Sequence, residues 1–194
     1  ELTGAFAIDA GYFDSFALAP AALPTFGDVP AGDPAAEAIR QLAARGVIRG
    51  CDQEASPPLF CPTEPTLRAQ MAALIVRAMG WGAETPNNPF ADRCDPLVPD
   101  NCVDAELGNA VGVLGAKGVA RGYTDGATCA PAAAPCYAAR DNVLYAQTIS
   151  FITRAMVEKG YWTAATTDNG TVYPNIPAET GHRLDFVTST QNVG

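Results

Sequence analysis

Apolar side chains recur at helical spacing along much of the chain, and the first such face is Ala35, Ala38, Ile39 and Leu42. Glu37, Arg40, Gln41 and Arg45 occupy the rest of that cylinder. Asp33 before Pro34 predicts the start, because a proline at the first helical position has no N–H to leave unsatisfied. Gly46 predicts a stop in left-handed backbone. Val47-Ile48 then returns the chain to the core, and Gly50 turns it out again. Four prolines between Cys51 and Pro65 exclude a helix in that loop. Thr66 opens the second predicted helix, where Leu67, Met71, Leu74, Ile75 and Ala78 share a face, and Gly80 closes it. Met71 and Met79 read as core filler.

The pattern then repeats. Ala38–Gly50 recurs as Ala110–Gly122 with seven of thirteen positions identical, and Leu67–Met79 recurs as Leu144–Met156 with seven of thirteen. Each unit therefore runs helix, Gly-rich turn, loop, helix. Repetition of this kind indicates modules that bury their apolar faces against one another, a scaffold or binding surface rather than a single catalytic pocket. Phe26-Gly27-Asp28-Val29-Pro30 is a short extended entry that places Phe26 and Val29 in the core, and Phe90-Ala91-Asp92 corresponds to it. The second copy carries eight extra residues between Phe90 and Val111, and Cys94 and Cys102 fall within them. Gly118–Gly126 matches Gly46–Gly50 and runs on into a tight Asp125-Gly126 turn. Asp141 or Asn142 is the expected cap of a helix with Leu144, Ile149, Ile152 and Met156 inside.

Tyr173-Pro174-Asn175-Ile176-Pro177 looks like a third entry, with too few residues after it for two more helices. Leu184, Phe186 and Val187 fit one helix or strand. The expected organisation is an apolar arm at 1–24, repeat units at 25–88 and 89–165, and a degenerate or partial third unit at 166–194. The fold class is mainly α, tandem helix-loop-helix repeats with short extended segments and disulfide-closed loops.

Charge and cysteine content narrow the setting. A formal net charge of −9 on 194 residues leaves no basic stripe to neutralise phosphates, which argues against nucleic acid or an anionic membrane surface as partner. No apolar run reaches membrane-spanning length, so membrane insertion is not expected. With 48 % hydrophobic residues there is material for a real core. The sequence starts at Glu1 without a basic segment and apolar stretch, so a secretion signal is expected to have been removed, or the chain to be a processed fragment. Six cysteines fall as Cys51/Cys61, Cys94/Cys102 and Cys129/Cys136. Close couples on turn-rich loops favour three disulfides formed outside the cell, each worth roughly 2–3 kcal/mol. Metal binding is the rival. No couple has Cys-x-x-Cys spacing and only His182 could assist, so no metal or other cofactor is expected.

These residues resemble S-layer homology repeats. The matching elements are the Phe26–Pro30 entry, Gly46–Gly50, Phe60-Cys61-Pro62 and Leu67-Arg68-Ala69-Gln70 in the first copy. In the second they are Phe90–Asp92, Gly118–Gly126 and Leu144-Tyr145-Ala146-Gln147. The resemblance covers roughly Thr25–Trp81 and Pro89–Trp162, with a fragment at Val172–Pro177. It implies an extracellular module of bacterial cell surfaces in which three repeats form a pseudo-threefold prism that grips a pyruvylated wall polysaccharide. In that setting Arg68 is the polysaccharide-binding residue, since a guanidinium beside free helix amides recognises a carboxylate in two ways. The second copy has Tyr145 at that place. Leu67 and Leu144 replace the family's Thr, and Gln70 and Gln147 its Glu, which predicts loss of the reciprocal capping box. Ala35 stands where the family commonly has an aromatic.

The remaining chemistry is sparse. Phe6, Ile8, Tyr12, Phe13 and Phe16, with Leu2 and Leu18, make residues 1–24 apolar; they either pack back on the repeats or dock on a neighbouring copy as self-association residues. A head-to-tail contact of that type, repeated without closure, gives a filament or sheet. Asp92, Asp95, Asp100 and Asp104 do not match a calcium loop and read as caps and turns. Asn169-Gly170-Thr171 is a glycosylation-type triplet. No phosphate loop or nucleophile elbow occurs and no catalytic residue is assigned, so an enzyme is not expected. The reading is a non-catalytic, secreted cell-surface structural protein whose partners are copies of itself. The alternative is an anchor module that binds cell-wall polysaccharide.

Overall fold

The first helix begins later than Asp33-Pro34 predicts. In the computed structural model, which describes residues 23–92, 104–130, 132–168 and 182–193, α1 covers Ala36–Ala44 with Ala35 at its N-cap. Asp33 still organises the entry. Its Oδ1 accepts the Ala35 N–H at 2.7 Å and its carbonyl accepts the Ala36 N–H at 2.9 Å, so residues 33–35 form a turn before the helix. Ala36 and Ile39 are the buried side chains, whereas Ala35 and Ala38 are exposed and Leu42 is half-buried. Among the described residues five further helices follow: α2 Arg68–Ala78, α3 Ala105–Ala116, α4 Gly126–Cys129, α5 Tyr145–Glu158 and α6 Arg183–Val193. Among the described residues extended structure is limited to three isolated bridges, so the fold is mainly helical. No described helix is long and apolar enough to cross a membrane.

The chain divides into two compact units, Glu1–Pro62 and Thr63–Gly194. The division falls inside the predicted 25–88 repeat, so α2 belongs to the second unit. Residues 1–22, including Phe6, Ile8, Tyr12, Phe13 and Phe16, lie outside the described residues, as do Cys94, Cys102 and Tyr173–Pro177.

In the first unit a loop is pinned by one carboxylate. Asp28 Oδ1 accepts the Phe60 N–H at 2.8 Å and Oδ2 accepts the Cys61 N–H at 2.6 Å. Gly27 N–H reaches the Pro58 carbonyl at 2.8 Å, and the Phe26 ring packs on Phe60 with centroids 5.6 Å apart. Gly50, at φ 82°, passes directly over the Leu59 carbonyl and the Phe26 ring, where no side chain fits. The Cys51–Cys61 disulfide, with Cα atoms 6.0 Å apart, closes the loop.

The second unit contains the same construction. Asp92 Oδ1 accepts the Tyr137 N–H and Oδ2 the Ala138 N–H, both at 2.7 Å. Ala91 N–H reaches the Pro135 carbonyl at 2.8 Å, and Phe90 packs on Tyr137 at 5.3 Å. Gly122, at φ 69°, sits over the Cys136 carbonyl and the Phe90 ring. Cys61 and Ala138, the residues after Phe60 and Tyr137, both have positive φ, 59° and 54°. The Cys129–Cys136 disulfide, Cα atoms 5.4 Å apart, staples this loop from different positions within it. Asp125-Gly126, predicted as a tight turn, instead starts α4: Asp125 Oδ1 accepts the Thr128 N–H at 2.7 Å.

Within the second unit α2 packs on α3 and α5, and α5 on α6. The α2 face differs from its sequence pattern. Ala69, Ala72, Ala73, Ile75 and Val76 are buried and Met71 and Met79 pack half-buried against the core as expected, whereas Leu67 and Leu74 are only half-buried and Ala78 is exposed. Alanine contrasts weakly in hydropathy, so the larger side chains misdirected the face. The small residues bring α2 close to Ala110, Val111, Val113 and Leu114 of α3. Asp104 Oδ1 caps α3 by accepting the Leu107 N–H at 3.0 Å.

Helix α5 departs furthest from expectation. Gln147, Ser150, Phe151, Thr153 and Ala155 face inward, while Leu144 and Ile152, expected inside, are exposed. Its N-cap is Leu144 rather than Asp141 or Asn142. Half of the capping box survives in both helices. Gln70 Oε1 accepts the Leu67 N–H at 2.8 Å and Gln147 Oε1 the Leu144 N–H at 3.1 Å, and only the leucine side has no oxygen to offer. The Leu184–Val187 segment is helical, with Phe186 and Val187 buried and Leu184 exposed.

Gly112, against Pro86, and Gly115, against Pro89, let the segment after α2 lie on α3. A β-carbon at Gly115 would meet Pro89 Cδ at 2.5 Å and Phe90 Cε2 at 2.9 Å, whereas one at Gly108 would meet nothing within 4 Å. Gly108→Ala is expected to stabilise the protein by up to about 1 kcal/mol, the usual helical gain. Gly115→Ala should reverse that sign and cost about 1–3 kcal/mol through overpacking. Urea denaturation of the pair tests this; equal gains would show that Pro89 and Phe90 give way freely.

Candidate functional site

Arg68 is the first residue of α2, and backbone already closes that helix start. Its own N–H donates to the Asp141 carbonyl at 2.8 Å and the Ala69 N–H to the Ala139 carbonyl at 3.1 Å. Val143 N–H returns to the Thr66 carbonyl at 2.9 Å. Two of the amides that a helix start leaves open are therefore consumed by the 139–143 strip. That strip follows directly on Tyr137 and Ala138, the residues whose amides Asp92 holds.

The Arg68 side chain runs inward and is only 3 % exposed. Nε donates to the Tyr137 carbonyl at 2.8 Å, and the Tyr137 hydroxyl donates to the Arg68 carbonyl at 2.8 Å. The guanidinium carbon lies 4.7 Å from the ring centres of Tyr123 and Tyr137 and 5.3 Å from that of Phe151. Arginine suits such a place because its planar cation is weakly hydrated and stacks on aromatic faces. Burial pushes the Tyr137 phenol far above its ordinary value, although the Arg68 charge pulls the other way. It stays protonated and serves as a donor. Buried Gln147 completes the group, with Nε2 donating to the Tyr123 hydroxyl at 2.8 Å.

Chemically this cage holds a cation and does not present one. Recognition of a carboxylate by Arg68 needs a reachable guanidinium and free amides beside it; here the guanidinium is buried and the Arg68 and Ala69 amides are taken by backbone carbonyls. An open cavity of 180 Å³ lies nearby, lined by Asp92, Thr128, Cys129, Arg140, Asp141 and several alanines. Both Asp92 oxygens in its wall accept backbone amides. Among the described residues no group of three or more His, Cys, Asp or Glu side chains is placed to hold a metal ion.

Of the residues singled out in the sequence, Cys51 with Cys61 and Cys129 with Cys136 are brought to bonding distance. Arg68 is brought into contact with Tyr123, Tyr137, Phe151 and Tyr137's carbonyl, none of which the sequence reading assigned to it. One signal was available: Tyr137 stands where the first copy has Phe60, so its hydroxyl had to find a partner in the core. No protein family, curated protein or solved structure matches this chain.

Proposed function

We propose that this chain is a non-catalytic structural protein of a bacterial cell surface, built from S-layer-homology-like repeats and self-associating into a layer or filament. The observation that carries the repeat reading is the carboxylate-pinned loop, constructed once around Asp28 and again around Asp92 with the same amide acceptors, ring pair and glycine crossing. Repeated units of this kind build extended surfaces. Two disulfide-closed loops suit an oxidising, extracellular setting.

Self-association is favoured by the orientation of α5. Leu144, Tyr145 and Ile152 are exposed on it, Tyr145 by 73 %, and Leu184 on α6 adds to the exposed apolar set. Apolar residues turned outward while polar ones turn inward favour contact with another macromolecule. The anchor alternative depends on Arg68, whose enclosure in the aromatic cage weighs against it.

Negative-stain electron microscopy of the purified full chain, without wall material, tests the proposal. Regular filaments or sheets are expected, and Tyr145→Glu should reduce them strongly. Dispersed monomers at high protein concentration would overturn self-association.

A further inference from the structure

The only histidine of the chain sits at the origin of α6. The His182 carbonyl accepts the Phe186 N–H at 3.1 Å, so the residue belongs to the first turn of that helix. Its Nδ1 lies 2.7 Å from the hydroxyl oxygen of Ser150, a fully buried residue of α5. This side-chain contact joins the start of α6 to the interior face of α5.

We propose that this contact makes the docking of α6 on α5 pH-dependent, with protonation of His182 loosening the helix. A neutral imidazole can accept the Ser150 proton at Nδ1, whereas an imidazolium can only donate there and must carry its charge into the interface. The charged groups around it are unfavourable to that charge. From α5 comes Arg154, whose guanidinium pairs with Asp185 of α6 at 2.6 Å, and from α2 comes Arg68. On α6 itself Arg183 pairs with Asp168. Asp185, the acid that favours the protonated ring, is thus already engaged by Arg154. Burial, then Arg154 and Arg68, hold the His182 ring below its ordinary titration range, against the pull of Asp185.

The sign follows from proton linkage. A folded-state value below the unfolded one means that the undocked helix binds the proton more readily. The contribution of His182 to docking is complete above about pH 6.5 and is lost as pH falls through the folded value. Within that window the open population rises by up to about tenfold per pH unit. Undocking uncovers Phe186, Val187 and Thr188, which are buried in the closed form. Other contacts of α6, such as Thr188 Oγ1 with the Ala165 N–H and Asn192 with Thr163, carry no titrating group and favour docking equally at all these pH values. The inference stands apart from self-association, since it concerns a helix interface inside one chain.

The test uses the full chain. The single imidazole is titrated by NMR, and hydrogen exchange across 183–193 is followed between pH 7.5 and 5, corrected for intrinsic amide rates. Expected is a midpoint below about 6.5, with α6 protection falling several-fold over the same interval. His182→Asn keeps an acceptor near the Nδ1 position and removes the titration, so its protection should be flat. An ordinary or raised midpoint, or an equal loss of protection in His182→Asn, would overturn the proposal. The wild-type data decide alone if the variant does not fold: α6 protection that ignores the histidine midpoint is also a refutation.

Discussion

Replacing Arg68 with alanine is expected to lower the unfolding free energy by about 3–5 kcal/mol, a core-truncation effect from a residue usually found on surfaces. Three losses combine. The long side chain leaves a void among Tyr123, Tyr137 and Phe151; the Tyr137 carbonyl loses its donor; and the cation leaves three ring faces. A desolvated cation–π contact is worth about 2 kcal/mol, and an orphaned buried acceptor costs about 1–3 kcal/mol. Arg68→Lys keeps the charge but not the planar stack, so it should cost less, about 1–3 kcal/mol. Urea denaturation of the three proteins decides the matter. A loss below about 0.5 kcal/mol for Arg68→Ala, the range of ordinary surface changes, would mean that the cage is not a packing element. The same experiment is the control that any test of the anchor reading needs. Any loss of wall-polymer binding in Arg68→Ala is attributable to a direct sugar contact only if the variant is as stable as the parent.

Much of the backbone plan was legible because the repeated residues are those with geometric duties. Gly46 and Gly118 have φ of 71° and 67° at helix ends, Gly50 and Gly122 cross a carbonyl and a ring, and Asp28 and Asp92 each hold two amides. These are positions where few residue types fit, so identity between copies marks them. Helix faces were less legible. In α2 the interior is built from Ala69, Ala72 and Ala73, which no hydropathy contrast singles out. In α5 the interior takes Gln147 and Ser150 because Tyr123 and His182 supply partners for them. Both partners come from distant parts of the chain, so local periodicity could not reveal them. Arg68 illustrates the same limit at the candidate site. Its motif position was clear from sequence, but its direction depended on Tyr137, 69 residues away.

Asp92→Ala is the second change expected to have a large effect, about 3 kcal/mol. Each carboxylate oxygen accepts one backbone amide at 2.7 Å, and a hydrogen bond to a charged group is worth about 1.5–3 kcal/mol, taken here near the low end for a partly exposed residue. The effect should spread. Tyr137 and Ala138 lead directly into the 139–143 strip that closes the start of α2, so slack at Asp92 reaches the Arg68 cage without touching it. Asp92→Asn retains one acceptor and should lose about half as much. If Asp92→Ala instead left the exchange of the Arg68 and Ala69 amides unchanged, the loop and the cage would be independent. Asp28 offers the pH counterpart in the first unit. The Phe60 amide, aided by that of Cys61 and opposed by burial, holds its carboxyl below the ordinary carboxylate range. Its contribution is therefore complete above the unfolded value of about 4 and is lost as pH falls through the lower folded value. Hydrogen-exchange protection of the Phe60 and Cys61 amides should persist through pH 4 and fail below it, whereas Asp28→Asn should show no such acid step. At Asp28 backbone donors alone keep the carboxylate ionised in mild acid, and the same two-amide geometry recurs at Asp92 in a loop whose other residues differ.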